Sequence, residues 1–310
     1  MTFFLKKLTA FSIIFLLIIF LILFAISNLN TFQTSDRYYA NDFNDAFESL
    51  NYEVLVLGNS KAAAAIDKNI IEEALNLRTV NLGYASANIS ISKLTLESYL
   101  NKCINKPRLI LLEVSWFTFN NNRTNFQPVA GDLFLNDYKI LKHFVNYYPK
   151  SNEALKASIV ERLKSIVSKN NKKLSYDKRF IESDPNRKSY TFDILEFEKV
   201  FPDHKAGIDF LLLADFNEII NLCNSEGIQL VLFTAPEDEQ YTKEQLDAVA
   251  VNSVFVNTAT KNKNVHYLNY TFGSSLWKKE YENWLYNSHH VNERELFTNQ
   301  LIADLKNLNP

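Results

Sequence analysis

Tyr52-Glu53-Val54-Leu55-Val56-Leu57-Gly58-Asn59-Ser60-Lys61-Ala62-Ala63-Ala64-Ala65-Ile66-Asp67 is the stretch on which the fold turns. Val54 to Leu57 is an unbroken β-branched and leucine run, the pattern of a strand buried on both faces. It stops at Gly58-Asn59-Ser60, and a helix-favouring alanine run, Ala62 to Ala65, follows at once. Strand, tight turn and helix in that order put Ser60 at the C-terminal edge of a parallel sheet. Crevices of α/β proteins lie at that edge. Two readings of Ser60 stay open: a plain helix N-cap, or a reactive hydroxyl presented to a cleft.

Working outward, the same alternation of elements continues. Asp67 to Leu75 has helical spacing, with Ile70, Ile71, Ala74 and Leu75 as its apolar positions, and Thr79 to Leu82 reads as the second strand. Ile91 to Cys103 reads as an amphipathic helix with Leu94, Leu96, Tyr99, Leu100 and Cys103 facing inward. Pro107 introduces a third apolar strand, Leu109 to Val114. Helix Ile208–Cys223 ends at Gly227, strand Ile228–Phe233 is closed by Thr234-Ala235-Pro236, and helix Thr242–Thr260 precedes strand Val265–Asn269. A last helical pattern runs from Glu293 to Leu305. The expected fold is therefore a three-layer α/β/α domain on a mainly parallel, five-stranded sheet with right-handed crossovers.

Lys6 and Lys7 precede an apolar stretch, Leu8 to Ile26, interrupted only by Thr9 and Ser12. About twenty helical residues cross a hydrocarbon core of about 30 Å, so this stretch is long enough to span a membrane. The lysines favour a cytoplasmic N-terminus with the rest of the chain outside. A cleaved signal peptide shares the basic start and apolar core. The run is long for one, and no clear A-x-A site precedes Asn28, which favours an uncleaved anchor. The expected organisation is an anchor over 1–27, a linker over 28–51, and an α/β domain over 52–310 with a helical and loop insertion at about 116–205.

In that insertion Glu153 to Val167 has helical spacing, and Lys150 to Lys188 holds eleven Lys/Arg against five Asp/Glu. A solvated helical face explains the excess; so does a lid whose basic surface meets an acidic polymer or lipid headgroups. A net charge of −2 gives no indication of nucleic-acid binding, and 47% hydrophobic residues suffice for a substantial core. Cys103 and Cys223, the only cysteines, fall late in helices on apolar faces.

Near the C-terminus stands Tyr286-Asn287-Ser288-His289-His290-Val291-Asn292. A serine hydroxyl needs a base to become a nucleophile, and imidazole serves near neutral pH. Two surface histidines before a helix are the plainer reading. A metal site lacks the accompanying carboxylates or cysteines, and no P-loop, G-x-G-x-x-G or H-E-x-x-H pattern occurs, so no cofactor or metal is expected. The second glycine of G-x-S-x-G is also missing after Ser60.

Gly58-Asn59-Ser60, Asn81-Leu82-Gly83 and the Asn287–Asn292 block together resemble the SGNH/GDSL hydrolase superfamily, and most of all its membrane-anchored, cell-envelope branch. The resemblance spans roughly Glu53 to Lys306, with a long unmatched middle. It implies a flavodoxin-like sheet, Ser60 as nucleophile, His290 as base, and an oxyanion hole from the Ser60 and Gly83 backbone N–H groups. His289 becomes an intervening residue. Two positions depart from the family pattern. Asn287 stands where the family has aspartate, so it can orient His290 but brings no charge; the same exchange in a serine protease triad costs about 10⁴ in turnover. No asparagine follows the third strand in Leu112-Glu113-Val114-Ser115-Trp116, which leaves Asn88 or Asn120 as the further oxyanion donor. Glu113 reads as a structural hydrogen-bonding group at the strand end. The resemblance implies an esterase or O-acyl(acetyl)transferase outside the cytoplasmic membrane, acting on cell-envelope or exported polysaccharide beside a multi-span acyltransferase partner. The alternative from another class is a non-catalytic envelope protein, with a degenerate site, that binds glycan or a membrane partner.

Overall fold

The computed structural model describes residues 50–83, 87–119, 208–236, 248–271 and 291–308, together with 7, 11–15, 17, 18, 46 and 49. The chain divides into two compact units, Met1–Ser35 with Gln127–Lys173, and Asp36–Phe126 with Leu174–Pro310. Every strand and helix named below belongs to the second.

The apolar runs become five parallel strands: β1 (Val54–Leu57), β2 (Thr79–Asn81), β3 (Leu109–Glu113), β4 (Gln229–Thr234) and β5 (Val265–Asn269). Their order is β2-β1-β3-β4-β5. Residues of β1 and β3 are buried throughout because helices cover both faces, which is why they show no polar alternation. Each such leucine or valine contributes about 1.5–3 kcal/mol by leaving water.

Helices α1 (Ser60–Ala65), α2 (Lys68–Leu75) and α6 (Val291–Asn307) share one core with Val54, Val56, Leu111, Val231 and Phe233. The opposite face is covered by α3 (Ile89–Lys102), α4 (Phe210–Glu226) and α5 (Ala248–Lys261), where Phe119, Phe216 and Phe255 form a ring cluster. The architecture is a three-layer α/β fold. The Asp209 N–H donates to the Phe119 carbonyl at 2.9 Å. Trp116 to Phe119, counted with the insertion from the sequence, are buried.

Several boundaries move for local reasons. The alanine helix begins at Ser60 rather than Ala62, because Asn59 Oδ1 accepts from Lys61 N at 2.7 Å and caps it. The third helix starts at Ile89, with Asn88 as its cap, rather than at Ile91. The fourth runs Phe210–Glu226, capped by Asp209 and closed by Gly227 at φ 68°. Val114 falls outside β3, and β4 starts at Gln229 and extends to Thr234. Of the helix read over Thr242–Thr260, residues 242–247 lie outside the described residues; the rest runs Ala248–Lys261.

The amphipathic reading of the third helix is wrong. Residues on nearly every side of α3 are buried, Lys93 included, because α4 packs where water was expected. Lys93 is accommodated by ion pairs with Asp215 at 2.9 Å and with Glu218, and Asp215 also accepts from Ser90 Oγ. Cys103, read as inward-facing, is the C-cap and only half-buried, whereas Cys223 is buried.

Lys7 and the described residues between 11 and 18 are helical, and Phe11, Ile13, Ile14, Phe15, Leu17 and Ile18 are all exposed. Among the described residues no helix is long and apolar enough to cross a membrane. Most of Leu8–Ile26 lies outside the described residues, as does the basic stretch Lys150–Lys188.

Candidate active site

The chain passes from β1 to β2 on one side, then crosses back to place β3 on β1's other side. That reversal splays the connections apart beyond the C-terminal ends of β1 and β3, which is where an open α/β sheet forms its crevice. Gly58-Asn59-Ser60 emerges from one strand at this point and Glu113 ends the other.

Gly58 has φ +134°, a conformation that side-chain-bearing residues rarely adopt. A Cβ there would also stand 2.7 Å from Glu113 Cβ and 3.2 Å from the Glu113 carbonyl oxygen. Glycine therefore lets the two strand ends approach. Asn59 follows as the cap, and Ser60 is the first helical residue, exposed to solvent. The plain N-cap reading of Ser60 does not hold: Asn59 does the capping, and the Ser60 hydroxyl has no hydrogen-bond partner among the described residues. The Ser60 N–H lies in the first turn of α1 and has no intrahelical acceptor.

A small cleft opens beside this turn, lined by Gly58, Asn59, Asn88, Ser92, Glu113 and Phe117 among others. Glu113 is buried on its wall. Lys61 lies back across Phe117, its Nζ 4.5 Å from the ring centroid, a contact worth about 0.5–2 kcal/mol. Asn88 is 93% buried, its exposure being 7%. Its Oδ1 accepts from Ile91 N at 3.1 Å, while its Nδ2 has no partner among the described residues.

Gly83 sits where the resemblance needs it in sequence, after β2, and packs against α1. A Cβ on it would meet Ala63 N at 2.5 Å and Ala62 Cβ at 2.9 Å, so only glycine fits. Its N–H donates to Asn81 Oδ1 at 2.9 Å. The Asn81 amide in turn donates to the carbonyls of Ala62 (3.0 Å) and Ile66 (3.2 Å). One buried side chain thus ties the end of β2 to α1, a role not legible in the sequence beyond the presence of the Asn-Leu-Gly block.

His289, His290, Asn287 and Asn120 lie outside the described residues. The helix that His290 immediately precedes is described, and it docks on α1. Arg294 Nη2 donates to the Ile66 carbonyl at 2.7 Å, and Asp67 N donates to Thr298 Oγ1 at 3.0 Å. Phe297 and Leu301 bury beneath these contacts. The α6 helix is therefore held against the short helix that Ser60 begins.

No family model matches the chain, and no curated protein does. Among the solved structures that match, two align over most of it. One is a "putative acylhydrolase" from Bacteroides fragilis NCTC 9343, 10% identical over 91% of this chain and 99% of its own, with a TM-score of 0.44. The other is a "putative platelet activating factor" from Streptococcus pneumonia, 12% identical over 94% and 99%, with a TM-score of 0.35. Likenesses this low bear on neither reaction nor substrate.

Among the described residues no group of His, Cys, Asp and Glu is placed to hold a metal ion. What the site offers is an exposed hydroxyl at a sheet switch point, an N–H beside it with no intrahelical acceptor, and a buried amide donor lining the adjoining cleft. That combination suits acyl transfer through a tetrahedral intermediate.

Proposed function

We propose that this protein is a membrane-anchored, SGNH-type serine esterase or O-acyltransferase that handles O-acyl groups of polysaccharide outside the cytoplasmic membrane. The observation that carries this reading is the state of Ser60: exposed at the C-terminal edge of a central strand, with capping delegated to Asn59. Ser60 Oγ attacks the ester carbonyl while its proton passes to His290, oriented by Asn287. The carbonyl π pair moves to oxygen and is met by N–H donors. Collapse of the intermediate breaks the bond to the alcohol, which leaves with the proton from His290, and the acyl-serine then passes its acyl group to water or to a sugar hydroxyl. Docking of α6 on α1 supports the pairing of His290 with Ser60. The exposed apolar helical residues between Phe11 and Ile18 support an anchor over 1–27. A multi-span membrane partner would supply acyl groups if the acceptor is a sugar.

The full chain, purified in detergent, should be labelled by an alkyl fluorophosphonate, and Ser60→Ala and His290→Ala should each abolish the adduct. A folded wild-type chain with neither adduct nor p-nitrophenyl acetate turnover would refute catalysis and leave the glycan- or partner-binding reading.

A further inference from the structure

We propose that the cleft beside the Ser60 turn is a subsite for a sugar hydroxyl on the carbon next to the scissile ester, held by the Glu113 carboxyl and the Asn88 amide. The assignment rests on the serine acyl-transfer reading above, and it narrows the substrate to esters of sugars with a free neighbouring hydroxyl. Three observations carry it. The first is that the cleft presents a donor and an acceptor together. Asn88 Oδ1 is taken by the Ile91 N–H, so the other atom is the NH₂ donor, and it has no partner among the described residues. A buried amide nitrogen left in that state is costly unless a ligand accepts its hydrogen. Glu113 lines the same cleft and is 3% exposed, and a carboxyl group keeps acceptor capacity whether or not it is protonated.

The second is size. The apolar wall of the cleft is Phe117, which Trp116 meets edge-on at 4.9 Å between ring centroids and which Lys61 Nζ covers at 4.5 Å. The space that remains holds little more than one water-sized group. A single group that faces a donor and an acceptor must itself accept and donate. A carbonyl only accepts, and an ammonium only donates. A hydroxyl does both, whether it belongs to a sugar or to water.

The third is position. β1 and β3 pair in register as far as Leu57 and Leu112, which sets Gly58 opposite Glu113. Because Gly58 has no side chain, Glu113 comes close: a Cβ on Gly58 would stand 2.7 Å from Glu113 Cβ. Glu113 and Asn88 therefore share the cleft with Gly58 and Asn59, the two residues that precede Ser60. With an ester carbonyl at Ser60 Oγ, a substituent on the adjoining sugar carbon reaches this cleft. The hydroxyl donates to Glu113 and accepts from Asn88 Nδ2, and it is not consumed. Glu113 and Asn88 thus set specificity, while the reacting proton still travels by His290.

The test uses the full chain and pairs of methyl pyranosides of gluco, galacto and manno configuration, each with one acetyl ester on a ring carbon. One member of a pair has hydroxyls on the neighbouring carbons, and the other has hydrogens there. In at least one series the hydroxylated member should show a kcat/KM about 10²-fold or more higher, because its deoxy partner leaves both polar groups unpaired. Glu113→Leu removes the acceptor, and Asn88→Asp removes the donor while keeping an oxygen to cap α3. Either should cut that ratio to about 10 or less. The ratio is taken within each variant, so a general loss of activity or stability does not move it, and if Glu113→Leu fails to fold, Asn88→Asp decides. Ratios near 1 in all three series, from a wild-type chain that turns over p-nitrophenyl acetate, would mean that the cleft holds only water and would overturn the subsite alone. A high ratio that persists in the folded variants would also overturn it. A wild-type chain that forms no fluorophosphonate adduct at Ser60 and turns over no ester would overturn the acyl-transfer reading, and the subsite with it.

Discussion

Replacing Asn81 by aspartate turns one buried amide into a group that cannot serve both of its carbonyl partners. In the native chain Asn81 is 6% exposed, and its bonds among the described residues include one accepted from Gly83 N and two donated, to the Ala62 and Ile66 carbonyls. At about 0.5–1.5 kcal/mol each, the set contributes roughly 1.5–4.5 kcal/mol. A protonated aspartic acid would keep the Gly83 bond and one donated bond, so at low pH the variant should lose only about 1 kcal/mol. An ionised carboxylate would instead face two carbonyl oxygens in a buried site. The folded state will resist ionisation, which raises the folded pKa above the unfolded value of about 3.9. The sign follows: stability relative to wild type is retained below about pH 3.9 and falls as pH rises toward the folded pKa, by about 1.4 kcal/mol per unit. Urea unfolding of both chains at pH 4, 5, 6 and 7, followed by tryptophan fluorescence, reads this directly. A gap between them that stays constant across the series would refute the three-bond account of Asn81.

Two further outcomes follow from buried groups. Burial lowers the Lys93 ammonium, but hydrogen bonds to Asp215 and Glu218 outweigh it and hold its pKa above the ordinary lysine value. Its stabilising contribution is therefore complete below the unfolded value of about 10.4 and is lost as pH climbs through the folded one. Lys93→Met should cost about 3 kcal/mol near neutrality, the low end for a broken buried pair because Glu218 is half exposed, and should flatten that alkaline loss in urea titrations; equal alkaline loss in both chains would count against it. Burial also pushes the Cys223 thiol up to about 12, whereas Cys103 is half-buried at a helix end. An aromatic disulfide reagent at pH 8 should modify Cys103 in the folded chain and Cys223 only on unfolding; equal rates would contradict the packing of α4.

The layered parallel fold was legible because its signals are local. Val54–Leu57, Leu109–Glu113 and Leu230–Phe233 are unbroken apolar runs, and only a sheet covered on both faces buries such runs. The turn at Gly58-Asn59-Ser60 was equally plain, since glycine and an alanine run act within a few residues, although the cap is Asn59 and not Ser60. The amphipathic reading of Ile91–Cys103 fails at Lys93, whose charge by itself implies a solvated face. A lysine codes the same in sequence whether it meets water or, as with Asp215, a carboxylate on a helix 122 positions away.

The candidate site divides along the same line. Sequence by itself put forward Ser60, His290, Asn287 and the asparagines as candidate groups. It also determined that Ser60 stands at a strand's C-terminal edge, because a strand, a turn and a helix start follow one another within a few residues. Only the tertiary structure decided which donors remain available. The Gly83 N–H is committed to Asn81, Asn59 relieves Ser60 of capping, and Asn88 keeps a buried amide open to the cleft. Each of these asparagines bonds a near neighbour in sequence. Packing against distant segments, as where the Asn81 amide meets the Ala62 and Ile66 carbonyls, decides which of its polar atoms are engaged, and a local pattern does not record that.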